Sequence, residues 1–115
     1  MQLTKKTFYI GLAAASSLLA GSAVIAADGA ALYNAKMCQT CHGPDGSTPS
    51  VSTYPKLGGQ NESYLLAQIM DIRDGKRANG QTVVMKAMMD AMKVSPDEAK
   101  AIAKWIAEQP AKSNK

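Results

Sequence analysis

Histidine and cysteine are almost missing from this chain: 115 residues hold one histidine and two cysteines. That donor set falls short of the four ligands of a structural zinc site, which would need an unusual carboxylate or a second chain. No stretch alternates apolar and polar residues as a half-buried strand does. This removes the βαβ setting that a thioredoxin-like Cys-x-x-Cys pair requires. No segment repeats within the chain. A strong excess of one charge sign is lacking too. Basic residues number 13 and acidic residues 9, and two of the basic ones, Lys5 and Lys6, stand near the N-terminus. The later lysines are spread from Lys36 onward, so no concentrated basic patch for nucleic acid is expected.

What is present begins with a leader. Lys5 and Lys6 precede an apolar run from Phe8 to Val24, rich in alanine and leucine. Val24-Ile25-Ala26 then places small residues where a signal peptidase cuts. The expected organisation is a signal peptide over 1–26 and one domain over 27–115, which places the domain in the periplasm. An uncleaved anchor is the competing reading, because a bilayer span takes about 20 apolar residues. Gly11, Ser16, Ser17, Gly21 and Ser22 dilute the run and favour cleavage, after which no membrane insertion is expected. Removing Lys5 and Lys6 leaves 11 basic residues against 9 acidic ones, so the full-chain pI of about 9.1 overstates the basicity of the domain. A domain of roughly 90 residues is marginal on its own core.

Both cysteines and the histidine fall together, in Cys38-Gln39-Thr40-Cys41-His42. Cys-x-x-Cys-His is the attachment signature of a c-type haem. Two thiols add across the two vinyl groups of one porphyrin edge, and the two intervening residues let the backbone turn so that both sulfurs meet the same macrocycle. The histidine beside the second thiol is then held under the iron as its proximal ligand. A plain Cys38–Cys41 disulfide would leave His42 without a role. The motif occurs once, so one covalent haem c per chain is expected, adding a large apolar plate to the small core.

The rest of the domain reads as short helices and loops. Asp28 caps a helix reaching Lys36, with Leu32 and Tyr33 as its large apolar residues. Gly43 to Ser50 and Pro55 to Gln60 are loops by composition. Asn61 caps a second helix from Glu62 to Arg73, where Leu65, Ile69 and Ile72 share one face and Gly75 suits the left-handed position beyond it. Ser95-Pro96-Asp97-Glu98 is a capping box with proline at the first helical position. Ala99, Ile102, Trp105 and Ile106 form the buried stripe of that last helix, which Gln109-Pro110 ends.

These residues resemble a family, the class I c-type cytochromes of the small bacterial monohaem kind. The resemblance covers Ala27 to Gln109. Ala27-Asp-Gly-Ala-Ala-Leu-Tyr33 is similar to the start of small cytochromes of sulfate reducers. Tyr54-Pro-Lys-Leu-Gly-Gly-Gln60, Tyr64-Leu65 and Gly75-Lys-Arg-Ala-Asn79 are similar to a single domain of the cytochrome c-four group. The resemblance implies an all-α fold, the small class I cytochrome c fold, with roughly three to five short helices wrapped around one covalent haem. It implies that Gly29, Tyr33 and Trp105 pack the first helix on the last. It also implies that the Pro55 carbonyl accepts a hydrogen bond from His42, which would orient the ring.

With no second histidine, the chain itself cannot supply two histidines to the iron. The resemblance implies a distal methionine between the second and last helices. Met85, Met88, Met89 and Met92 are available, at a spacing that also suits a helix face packed with flexible apolar side chains. Met85 is the expected ligand from its place after Thr82-Val83-Val84 and beyond Arg77-Ala78-Asn79. Met89 is the alternative, because Lys86-Ala-Met-Met89 resembles the ligand segment of the sulfate-reducer proteins. The expected function is that of a non-enzymatic, monomeric electron carrier, docking transiently with redox proteins at the haem edge. The alternatives are a haem subunit of a larger dehydrogenase or oxidase, and a sensor or peroxidase-like protein with an open sixth position.

Overall fold

The computed structural model describes residues 28–113; the expected signal peptide lies outside them. The described residues form five helices and no strand: α1 (Gly29–Ala35), α2 (Gln39–His42), α3 (Glu62–Arg73), α4 (Thr82–Ala91) and α5 (Pro96–Ala107). The all-α expectation therefore holds. Among them, no helix is long and apolar enough to cross a membrane.

Local chemistry explains most of the boundaries. The Asp28 carboxylate accepts from the Ala30 and Ala31 amides at 3.0 and 3.3 Å, satisfying two of the free donors at the start of α1. Asn61 does the same for α3 through the Tyr64 amide at 3.2 Å. The capping box of α5 is closed in both directions. The Ser95 hydroxyl accepts from the Glu98 amide at 3.2 Å, and Glu98 Oε1 accepts from the Ser95 amide at 3.0 Å. α4 starts without a side-chain cap, at Gln81.

α5 is covered from two sides, by α1 and by α3, and α4 packs on α3. The core unites Tyr33, Leu65, Ile69, Ile72, Met89, Val94, Ala99, Ile102, Ala103 and Ile106. Trp105, expected in the buried stripe, is half-buried, whereas Ala103 is fully sealed. Coverage from two sides makes the buried face of α5 wider than a single stripe. The α1–α5 crossing is close because position 29 has no side chain: a Cβ there would overlap the Ala101 carbonyl oxygen and lie 2.6 Å from Trp105 Cβ. The Tyr33 and Trp105 rings meet beside it, with centroids 4.7 Å apart.

Candidate cofactor site

α2 is a single turn, yet it aligns the three residues of the motif. The Cys38 carbonyl accepts from the Cys41 amide at 3.3 Å and from the His42 amide at 3.1 Å. Residues three and four apart in such a turn share one face, so Cys38, Cys41 and His42 are presented together. Gly43 follows at φ +82, and a Cβ there would overlap the Thr48 carbonyl oxygen. The chain can therefore leave the motif in this direction only with glycine at that place. Tyr33, fully buried, donates its hydroxyl to the Gly43 carbonyl at 2.6 Å and so ties the end of the motif to α1. Burial raises the Tyr33 pKa, so the phenol stays a donor.

Both thiols are free and half-buried. Burial pushes the Cys38 thiol up to about 11, with the neighbouring Cys41 adding to the shift. His42 is buried, and its Nδ1 lies 3.1 Å from the Pro55 carbonyl oxygen. A carbonyl only accepts, so Nδ1 carries the proton and Nε2 keeps its lone pair. Burial lowers the His42 pKa, against a smaller opposing pull from Pro55, and keeps the imidazole neutral. A neutral ring with a fixed tautomer is the form that binds a metal ion.

Cys38, Cys41, His42, Pro55, Met85 and Met89 all line one cavity of about 340 Å³. Its other walls are largely apolar and include Leu65, Ile69, Ile72, Ile102 and Ile106. Met88 reaches the cavity as well, and Met92 does not line it. Instead the Met92 carbonyl accepts from Lys36 Nζ at 2.9 Å. One edge is polar: Arg77 donates to Gln68 at 2.9 Å and to Asn79 at 3.3 Å, and all three line the cavity. Nothing in the sequence gives Gln68 and Lys36 a role at the site: Gln68 is a polar residue of α3 beside Leu65 and Ile69, and Lys36 stands just before the motif. Arg77 and Asn79 stood out only as a family-like string without a role.

These residues fit a covalent haem. Two unpaired thiols and a neutral imidazole share a face, apolar side chains wall the space, and a polar edge can meet the porphyrin carboxylates. An all-helical domain closed over a Cys-x-x-Cys-His cavity is a c-type haem protein. Residues 26–110 match the family model for cytochrome c, and the chain belongs to that family. Covalent haem c is accordingly its cofactor.

Individual relatives agree. Cytochrome c4 of Pseudomonas aeruginosa is 52% identical over 60 residues, which is 51% of this chain and 29% of that protein. Cytochrome c-553 of Nitratidesulfovibrio vulgaris is 35% identical over 85 residues, covering 74% of this chain and 79% of the relative. A thiosulfate dehydrogenase electron acceptor of Stutzerimonas stutzeri is 31% identical over 113 residues, covering 92% of this chain and 50% of the relative. The matched segments span about a third of the length of the cytochrome c4 relatives, 29% to 35%.

Proposed function

We propose that this chain is a periplasmic, monohaem electron carrier, passing single electrons between redox proteins that dock transiently at the haem edge. One observation supports the reading: His42 and the methionines of α4 line the same cavity, so both could serve as ligands of one iron held there. The bound haem supplies an Fe(III)/Fe(II) couple, and a thioether ligand favours the reduced state relative to two nitrogens. Cys38 and Cys41 hold the macrocycle. His42 would supply Nε2 to the iron, with its Nδ1 proton held by the Pro55 carbonyl. Met85 is the proposed distal ligand. It is half-buried on the cavity wall at the edge of the apolar core, whereas Met89, 7% exposed, is one of the core residues themselves.

The test is a visible spectrum of the ferric protein combined with a redox titration. One haem per chain, a weak far-red methionine–iron band and a single one-electron wave are expected. A ferric protein that lacks the band and binds cyanide at once would establish an open sixth position and reject the carrier reading. Export is tested separately by the mass of the mature chain, expected to start at Ala27 and to include one haem.

A further inference from the structure

α4 carries Met85, Met88 and Met89, and only one of its side chains belongs to the apolar core. Met89 is its one core residue, Met85 packs against that core, and Val84 and Met88 line the cavity, while Val83 faces outward. Its helix–helix packing is mainly on α3. A helix with one core residue relies on further contacts to stay in place. Three cations compensate, each bonded to a main-chain carbonyl near an end of α3 or α4. Lys86 Nζ donates to the Arg73 carbonyl, at the end of α3, at 2.9 Å. Arg73 Nε donates to the Val94 carbonyl, just past α4, at 2.7 Å. Lys36 Nζ donates to the Met92 carbonyl, the C-cap of α4, at 2.9 Å, and pairs with Glu98 at 3.0 Å.

Carbonyls at a helix C-terminus lack intrahelical partners and carry the negative end of the dipole, so a cation there is well matched. Lys36 is the strongest of the three anchors. Its side chain is 18% exposed, against 31% for Arg73 and 39% for Lys86. It also bridges three elements: it follows α1, bonds the end of α4, and pairs with the Glu98 carboxylate that caps α5.

We infer that Lys36 is a positioning residue for the distal methionine: anchored by Glu98, it holds the C-terminal end of α4 and so keeps the methionine face over the cavity. The inference rests on methionine ligation from α4, as proposed above. Without the Lys36 bond, α4 lifts more often. An external ligand captures the lifted state, so its apparent affinity measures the fraction lifted.

Imidazole titrated into the ferric, haem-loaded protein, with loss of the far-red band as the signal, tests this. Lys36→Leu keeps an aliphatic stem and offers the iron no ligand. It should raise imidazole affinity about tenfold, equivalent to about 1.4 kcal/mol. Lys36→Arg should bring the affinity back to within about threefold of the parent, since a charged donor is restored. Glu98→Gln keeps an oxygen for the Ser95 amide and so keeps α5 capped. It should raise affinity about threefold, and it serves if Lys36→Leu does not fold. Ser47→Ala is the control. It removes the bond from the Ser47 hydroxyl to the Pro110 carbonyl at 2.9 Å, outside the cavity lining. It should lower the denaturant midpoint and leave imidazole affinity unchanged. Unchanged affinity in Lys36→Leu and Glu98→Gln, or an equal change in Ser47→Ala, overturns the inference. A wild-type ferric protein without the far-red band overturns methionine ligation itself, and this inference with it.

Discussion

Gly29→Ala tests the helix crossing that closes the fold. The added methyl would overlap the Ala101 carbonyl oxygen, and would lie 2.6 Å from Trp105 Cβ and 3.2 Å from the Ala101 carbonyl carbon. These atoms belong to the α5 main chain or are bonded directly to it, so no rotamer change relieves the contact. α1 has to move off α5. That movement loosens the Tyr33–Trp105 ring pair and reopens Tyr33, Ala99 and Ala103, all fully sealed. Overpacking of this kind costs about 1–3 kcal/mol. The helix-propensity gain of alanine over glycine is at most about 1 kcal/mol in a helix interior. It is smaller at position 29, the first residue of α1. A net loss of about 1–3 kcal/mol is therefore expected, or roughly 5–20 °C in Tm for a domain of this size. Urea unfolding of the haem-loaded protein measures it, with far-UV circular dichroism and Trp105 fluorescence as signals. The midpoint should fall at constant slope. A midpoint at or above that of the parent would refute the close crossing.

Three further outcomes follow from the site and its surroundings. Cys38→Ser combined with Cys41→Ser should leave no haem-stained band on a denaturing gel; a band that still stains would rule out thioether attachment at these residues. Met85→Ala should abolish the far-red band and lower the potential, whereas Met89→Ala should keep the band and cost about 2–5 kcal/mol as a core truncation; the reverse pattern assigns Met89 as the ligand. Lys112, 2.5 Å from Asp45, and the Ser47 amide at 2.9 Å hold the Asp45 carboxyl down at about 2, from an ordinary 3.8. A carboxyl depressed on folding stabilises above its ordinary value and loses that contribution as pH falls through its folded value. Asp45→Asn should thus be less stable than the parent at pH 5, with the gap shrinking markedly as pH falls towards 2; a gap as large at pH 2 as at pH 5 would show that ionisation is not the cause.

The elements most legible in the sequence are those whose ends are set by their own side chains. Asp28, Asn61 and the Ser95–Glu98 pair each satisfy amides within three residues, so local pattern and final structure coincide. α2 has no such mark. It is one turn, held by the Cys38 carbonyl and not by a capping side chain. α4 lacks a cap as well, and its methionine spacing signals a helical face without saying whether that face meets a core or a cofactor. The cavity motif was visible because attachment chemistry needs its residues adjacent in sequence. The Lys36, Arg73 and Lys86 anchors were not visible, since bonds from long side chains to distant carbonyls follow no spacing rule. Their partners become neighbours only through packing of the helices, Lys86 and Arg73 through that of α4 on α3.

The α1–α5 crossing has a consequence for biogenesis. Its two halves stand at opposite ends of the described chain, so almost the whole domain must be made before they can meet, and closing so long a loop is entropically unfavourable until packing compensates. The Cys-x-x-Cys-His turn directly follows α1, whereas Ile102 and Ile106 of α5, which line the cavity, arrive last. During vectorial synthesis the two thiols therefore emerge ahead of part of their own cover. The order of elements leaves an interval in which the Cys-x-x-Cys-His turn is accessible and the last helix has yet to seal it, and a chain cut before α5 would be left in that open state.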